Sequence, residues 1–419
     1  MTVCIVGSGA REHALALACA RTTDVVVTPG NPGIQGRSPE GHRLRSTEEP
    51  PEEIEADLVV VGPEVPLVEG LADRLRGLGR PVFGPGADGA CLEGSKAFMK
   101  KLVEAAGVPT ARFAVFDRLD DAVKHLRRGP GPYVVKTDGL AAGKGVLVTD
   151  DLDRAERDVA AKLSGEAFGA SGRRIVIEEA LAGREASLLA VCDGVRAVAL
   201  PVARDYKRAL DHDLGPNTGG MGACSPVPFV SGADLDAAMD RIVLPTLAEL
   251  RRRGIDYRGV LYAGLMLGEE GPRLVEFNVR FGDPETEVVL PRVEGDFAGL
   301  LAAAAAGSVP EVVGCAPLAA VCVVAAAQGY PSKARSGDPI GGLDAAGAVE
   351  GVTVLHAGTR LGPDGVLRTA GGRVLAVTAV APTVDEARER AYAAMGAVKI
   401  DGIQYRRDIA VFDNGRRAS

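Results

Sequence analysis

The densest chemistry in the chain lies in Glu276-Phe277-Asn278-Val279-Arg280-Phe281-Gly282-Asp283-Pro284-Glu285-Thr286. Strand alternation places Glu276, Asn278 and Arg280 on one face and Phe277, Val279 and Phe281 on the other. The apolar face is expected to pack inward, leaving an acid, an amide and a guanidinium in a row. Mg²⁺ takes hard oxygen ligands and fills its shell with substrate phosphates, so Glu276 and Asn278 are the candidate metal ligands. Arg280 would neutralise charge on a phosphoryl group in transfer. Asp283, in the turn that follows, joins Arg280 and Asn278 as a catalytic candidate. The competing reading is a half-exposed strand whose polar face is merely solvated.

Four glycine-rich or hinge-like segments add to this. Lys136-Thr137-Asp138-Gly139-Leu140-Ala141-Ala142-Gly143-Lys144-Gly145-Val146 is not a P-loop, because its glycine spacing is one short and Gly145 stands where Ser or Thr should follow the lysine. It does place a lysine at a strand end and a loop between two strand patterns. Such a loop can fold over a triphosphate with Gly143, Lys144 and Gly145; an ordinary hairpin is the alternative. Gly7-Ser8-Gly9-Ala10-Arg11-Glu12 follows a strand and opens a helix, but Glu12 replaces the third glycine of a dinucleotide fingerprint and Thr28 replaces the ribose acid. What remains is an anion site at a helix N-terminus or a tight turn, evenly balanced. Gly215–Ala223 (GPNTGGMGA), preceded by Asp205-Tyr206-Lys207-Arg208, is a loop whose glycines let backbone approach a ligand, or a long surface loop. Glu178-Glu179-Ala180-Leu181 ends a strand and could offer backbone groups to a base edge, although such a segment is more often a plain strand end.

The elements that must hold these groups follow from periodicity and punctuation. Residues 1–95 alternate strands (Thr2–Val6, Asp24–Thr28, Asp57–Gly62) with a helix over Arg11–Ala20, and each strand ends in a Gly/Pro turn. That alternation predicts a parallel sheet with binding groups collected at the strands' C-terminal ends. A helix over Ser95–Ala106 comes next, then strands at Arg112–Phe116, Tyr133–Thr137 and Val146–Thr149 and a helix at Leu152–Leu163. Leu163–Arg173 is small, polar and expected to be mobile. Strands at Arg174–Glu179 and Ala186–Cys192, one long helix over Ala233–Arg253, and strands at Val260–Leu267 and Arg273–Asn278 follow. Gly307–Gly314 reads as a linker, and from Ala316 the pattern is strands again with a helix at Val384–Met395.

The totals exclude several classes. With 419 residues, 46% apolar and 25% charged, the chain has the balance of a globular protein of two to four domains. Its net charge is −8 and its longest basic run is Arg251–Arg253, so no nucleic-acid partner is expected. Anionic substrates must then be held by local N–H nests and single Arg or Lys residues. The seven cysteines show no Cys-x-x-Cys pair, as a reducing compartment permits. No signal peptide pattern opens the chain and no apolar run approaches ~20 residues, so no membrane span and a cytoplasmic location are expected.

In order along nearly the whole chain, the segments Gly7–His13 (GSGAREH), Pro29–Asn31, Val61–Leu67 (VGPEVPL), Leu92–Phe98 (LEGSKAF), Asp138–Val146, Gly215–Ala223, Tyr262–Met266 (YAGLM) and Glu276–Thr286 resemble the phosphoribosylamine–glycine ligase (glycinamide ribonucleotide synthetase) family of ATP-grasp enzymes. His356–Thr359 (HAGT) and Gly371–Leu375 (GGRVL) carry the likeness into the last domain. The resemblance implies an α/β and α+β multidomain fold. Its parts would be a Rossmann-like pre-ATP-grasp domain (1–95), a two-part ATP-grasp core (96–307) with a lid subdomain at about 112–185, and a small C-terminal α/β domain (316–415). It implies Lys96 and Lys136 beside the ATP phosphates, Glu178, Glu179, Ala180 and Leu181 as the adenine hinge, Glu185 as the ribose acid, and Glu276 and Asn278 as ligands of Mg²⁺ or Mn²⁺. The phosphate of the amine substrate is expected in a crevice of Gly9, Arg11, Gly30, Asn31, Pro63 and Glu64. Further substrate contacts are expected from Asp205, Lys207, Asn217, Thr218, Gly219, Gly220, Met221 and Gly222. The implied reaction joins glycine to 5-phosphoribosylamine through glycyl phosphate with release of ADP and phosphate, by a monomer or weak dimer; the alternative is a related carboxylate–amine ligase with a different acid. Thr137, Arg204, Tyr206, Cys224 and Glu287 depart from the family pattern (Ala, Gln, His, an aromatic and Gln).

Overall fold

The computed structural model describes residues 1–141, 145–165 and 173–412. The expected loop residues Gly143 and Lys144, and most of the expected mobile stretch Leu163–Arg173, lie outside the described residues.

The N-terminal part is a six-stranded sheet with Thr2–Gly7 at its centre, flanked by Asp24–Pro29 and Leu58–Val61 in parallel register. Both faces of these strands are covered, which is why they read as near-continuous Val/Ile runs and not as alternating ones. Helix Ala10–Cys19 packs on this sheet, and Leu15 and Ala16 are fully buried beneath it.

Two further antiparallel sheets form the middle of the molecule. The smaller has the order Phe113–Phe116, Ile175–Glu179, Tyr133–Thr137, Val146–Thr149; helices Leu119–Leu126 and Leu152–Leu163 close a separate small core against it around Val135, Ile175 and Val159. The larger runs Ala197–Ala199, Arg184–Asp193, Arg258–Gly268, Gly271–Asn278. At the end of its last strand and in the three residues that follow, the expected alternation is observed: Phe277, Val279 and Phe281 are buried, whereas Glu276, Asn278 and Arg280 are half-buried. A bulge at Val275 keeps it so, since Leu265 pairs with Leu274 while the adjacent Gly264 pairs with Glu276.

The long helix expected over Ala233–Arg253 is interrupted. Gly232–Ala238 and Leu244–Arg252 are joined by a wide π turn at Met239–Val243. Pro245 explains the break, because it has no N–H to donate and its ring crowds the carbonyl four residues earlier.

The last sheet has the order Arg204–Asp205, Gly222–Ser225, Ala319–Ala326, Arg373–Ala381, Val352–His356. It is therefore not built from the C-terminal residues alone. Two strands from the middle of the chain pair into its edge, and they bring the GPNTGGMGA loop with them. Among the described residues, no helix is long and apolar enough to cross a membrane.

Candidate active site

The two middle sheets face each other across a cleft of about 1500 Å³. On one jaw, Lys136 lies near the end of Tyr133–Thr137, and Glu178 and Glu179 end Ile175–Glu179 beside it. Lys96 opens helix Lys96–Ala105, whose cap is Ser95, with Oγ accepting the Phe98 N–H at 3.1 Å. Asp138 ties that helix to the glycine-rich segment. Its Oδ1 accepts from Ser95 Oγ at 2.9 Å and from the Ala97 N–H at 2.7 Å, so both lysine-bearing segments are positioned by one carboxylate.

The other jaw carries Glu276, Asn278 and Arg280. Partial desolvation disfavours the charge of the half-buried Glu276, but Lys136, Lys96 and Lys207 outweigh that and hold its carboxyl below the usual range. The Arg280 guanidinium reaches Glu64 at 3.3 Å, Glu93 at 3.1 Å, the Asn278 Oδ1 at 3.1 Å and the Phe281 carbonyl at 3.2 Å. Burial opposes its charge, yet Glu93 and Glu64 keep it ionised well beyond an ordinary arginine. Arg280 thus arrives at the cleft fixed in orientation and permanently positive.

At the far end, Lys207 bridges Asp205 at 3.2 Å and Glu185 at 3.3 Å. Burial pushes the Asp205 carboxyl up to about 7, with Lys207 opposing and Glu285 and Glu185 adding to the rise. Asp283 pairs with Arg373 at 3.0 Å, and Arg373 also donates to the Gly219 carbonyl at 2.7 Å. The Gly219 N–H donates to the Tyr330 hydroxyl at 3.0 Å. Two residues of the C-terminal region therefore enter the cleft and shape the loop Gly215–Ala223.

Of the residues singled out from sequence, Lys96, Lys136, Gly145, Glu178, Glu179, Ala180, Leu181, Glu185, Arg11, Pro63, Glu64, Asp205, Lys207, Asn217, Thr218, Gly219, Glu276, Asn278, Arg280 and Asp283 line this one cleft. Six do not. The Gly9 N–H is already donated to the Glu12 carboxylate at 2.6 Å, so the helix N-terminus expected to hold a phosphate holds a side chain of its own helix. Gly9 is extended (φ −87°, ψ −175°), and its small size serves the approach of Glu12, whose oxygen would lie 3.0 Å from an added Cβ. Gly30 has φ +69° and backs onto Ser46. The Asn31 amide donates to the carbonyls of Ser8 at 3.0 Å and His356 at 2.9 Å, which makes it a tie between the first and last sheets. Gly220 backs onto Pro284, Met221 is buried, and Gly222 pairs with Val323 in the last sheet, because the glycine-rich loop ends as a strand. Within the segment expected to offer backbone groups to a base edge, the Glu179 carboxylate is taken by Arg112 and Arg273, both at 2.7 Å, and its N–H donates to the Arg112 carbonyl at 3.0 Å.

Sequence reasoning misses Glu93, Arg373 and Tyr330, which also line the cleft, although the first two lie within the motifs Leu92–Phe98 and Gly371–Leu375. It also misses Glu285, whose Oε1 accepts from the Tyr262 hydroxyl at 2.5 Å and from Ser187 at 3.2 Å. Of the departures, Arg204 lines the cleft, but Tyr206 turns away from it and accepts the Ala410 N–H at 3.0 Å.

A cleft between two antiparallel sheets, with lysines on one jaw and acid, amide and guanidinium on the other, defines an ATP-grasp protein, and an ATP-grasp domain model matches residues 94–286. That model is the A domain of phosphoribosylglycinamide synthetase; the N-domain model matches 1–93 and the C-domain model 320–411, so the chain belongs to the phosphoribosylglycinamide synthetase family. It is 47% identical over 425 residues to the phosphoribosylamine–glycine ligase of Streptomyces coelicolor, covering 98% of this chain and 99% of that protein. The crystal structure of the Thermotoga maritima phosphoribosylamine–glycine ligase superposes with a TM-score of 0.86 at 37% identity, over 98% of this chain and 100% of that one. The biotin carboxylase domain of Hydrogenobacter thermophilus 2-oxoglutarate carboxylase shares the fold alone, with a TM-score of 0.68 at 16% identity over 96% and 91% of the two chains.

Proposed function

We propose that this chain is an ADP-forming ligase that joins glycine to 5-phosphoribosylamine, giving glycinamide ribonucleotide and phosphate through glycyl phosphate. The observation that carries this reading is the facing of Lys96 and Lys136 toward Glu276, Asn278 and Arg280 within one cleft. The family to which the chain belongs supplies the substrates.

The chemistry needs three things from the residues. A carboxylate is a poor acyl donor, so a glycine oxygen attacks the γ-phosphorus of ATP and ADP leaves. Lys96 and Lys136 hold the phosphates, and Arg280, held by Glu93 and Glu64, meets the charge that spreads over the transferring group. The amine then attacks the acyl carbon, phosphate departs, and the proton lost from nitrogen leaves the new amide neutral. The acyl phosphate must be kept from water in the interval.

The oxygen donors suit a divalent cation. Glu276 is kept ionised, and Asn278 Oδ1 retains a lone pair beside its bond to Arg280. Mg²⁺ or Mn²⁺ bound by Glu276 and Asn278 would neutralise phosphate charge. Release of ADP, measured with ATP present and glycine or phosphoribosylamine omitted in turn, tests the whole reading. Dependence on both is expected; ADP release that needs a different acid would replace glycine in the assignment.

A further inference from the structure

Lys100 lies one helical turn after Lys96, is fully buried and does not itself line the cleft. Its ammonium sits 2.9 Å from Glu178 Oε2 and donates to the Thr110 hydroxyl at 2.8 Å, which in turn donates to the Leu274 carbonyl at 2.7 Å. Lys136 approaches the same Glu178 oxygen at 3.1 Å and donates to the Val275 carbonyl at 3.2 Å. Two ammoniums thus share one carboxylate oxygen at the seam where the small sheet meets the last strand of the large one. The other oxygen, Oε1, is buried and has no hydrogen-bond partner, and Glu178 lines the cleft. A buried ammonium is costly unless it serves a charged partner, and a buried carboxylate oxygen left bare is equally so.

We propose that Lys100 is a positioning residue: by occupying Glu178 Oε2 together with Lys136, it turns Oε1 toward the cleft as an acceptor reserved for an N–H donor on the nucleotide base. This rests on the reading of the cleft as the ATP site. Lys136 alone could satisfy either Glu178 oxygen, because the carboxylate is free to rotate about its last bond. Lys100 and Thr110, anchored to the Leu274 backbone, remove that freedom. A base that carries an amino group at the position facing Oε1 gains a hydrogen bond; one with a carbonyl there sets oxygen against oxygen.

The test compares ATP with ITP, in which a carbonyl replaces the 6-amino group, in the full-length enzyme and in Lys100→Met. In Lys100→Met, the KM for ATP should rise about tenfold, and the preference in kcat/KM for ATP over ITP should fall by a similar factor, since a hydrogen bond to a charged group carries that much discrimination. The KM for glycine should not move. In a Glu178→Gln background, Lys100→Met should change the ATP-to-ITP ratio no further. Lys100→Met with an unchanged ATP-to-ITP ratio at a matched melting temperature overturns the proposal, as does an equal fall in kcat for both nucleotides. Should Lys100→Met not fold, Thr110→Val is read by the same ratio, with a smaller change expected and no change overturning the proposal. A parent enzyme that releases no ADP from ATP would instead sink the ATP reading itself.

Discussion

The Glu93 carboxylate holds Arg280 twice over: one oxygen lies 3.1 Å from the guanidinium and the other accepts the Val279 N–H at 2.8 Å. Arg280 and the backbone that carries it are therefore aimed by a single side chain from the helix before Lys96. Glu93→Gln keeps an acceptor for Val279 but loses the charge facing Arg280. Its kcat should fall about 10- to 100-fold with the KM for ATP nearly unchanged, as expected for a group that acts mainly on the transition state. Wild-type kcat in a variant of unchanged melting temperature would show that Arg280 needs no such support.

Glu276→Gln should abolish turnover more than it weakens ATP binding. Charge neutralisation matters most where charge develops, and an amide offers a metal ion a weaker, neutral oxygen. Nucleotide affinity by calorimetry should change by less than about tenfold while kcat falls by a hundredfold or more. Near-normal turnover at ordinary magnesium would remove Glu276 from the metal site.

His13 links the first and last sheets, its Nδ1 accepting the His356 backbone N–H at 3.0 Å. Burial, and to a smaller degree His356, pushes its pKa down from 6.5 to about 3. Between those values the unfolded chain binds a proton that the folded chain refuses, so stability is complete above pH 6.5 and is lost as pH falls toward 3. His13→Asn retains an acceptor that cannot protonate, and the slope of stability against pH in that window should flatten. Denaturant melts at pH 4, 5 and 7 would check it; parallel pH curves for both proteins would refute it.

Glu287 has the opposite sign. It is fully buried, and neither carboxylate oxygen has a partner. Burial first, then the nearby Asp283, raises its pKa well above 4.5, with Arg373 opposing and Glu285 adding to the rise. The folded chain keeps this proton while the unfolded chain releases it, so its contribution is full below pH 4.5 and declines as pH rises. Glu287→Gln, nearly isosteric and never charged, should therefore be more stable than the parent at pH 8 and no more stable at pH 4. A loss of stability at pH 8 would mean that the carboxyl has a partner the amide cannot replace.

The sequence by itself determined the strands, the helix that opens at Ser95, the alternation of Glu276, Asn278 and Arg280 against Phe277, Val279 and Phe281, and the lysines at strand and helix ends. These are local matters, settled by side-chain period and turn residues within a few positions of each other. The family too was legible, because GPNTGGMGA and Glu276–Thr286 are long and specific. Only the tertiary structure decided which glycines line the cleft. Gly9 reads as a phosphate-binding turn until Glu12 folds back onto its N–H, and Gly62 completes that cradle from another strand, where an added Cβ would lie 2.1 Å from the Glu12 carboxylate. Asn31 reads as a crevice residue until His356, hundreds of positions later, claims its amide. Glu93, Arg373 and Lys100 acquire their meaning in the same way. Each is an ordinary charged side chain in its own segment, and its partner is chosen by which sheets pack together, a contact between distant segments that no local spacing encodes.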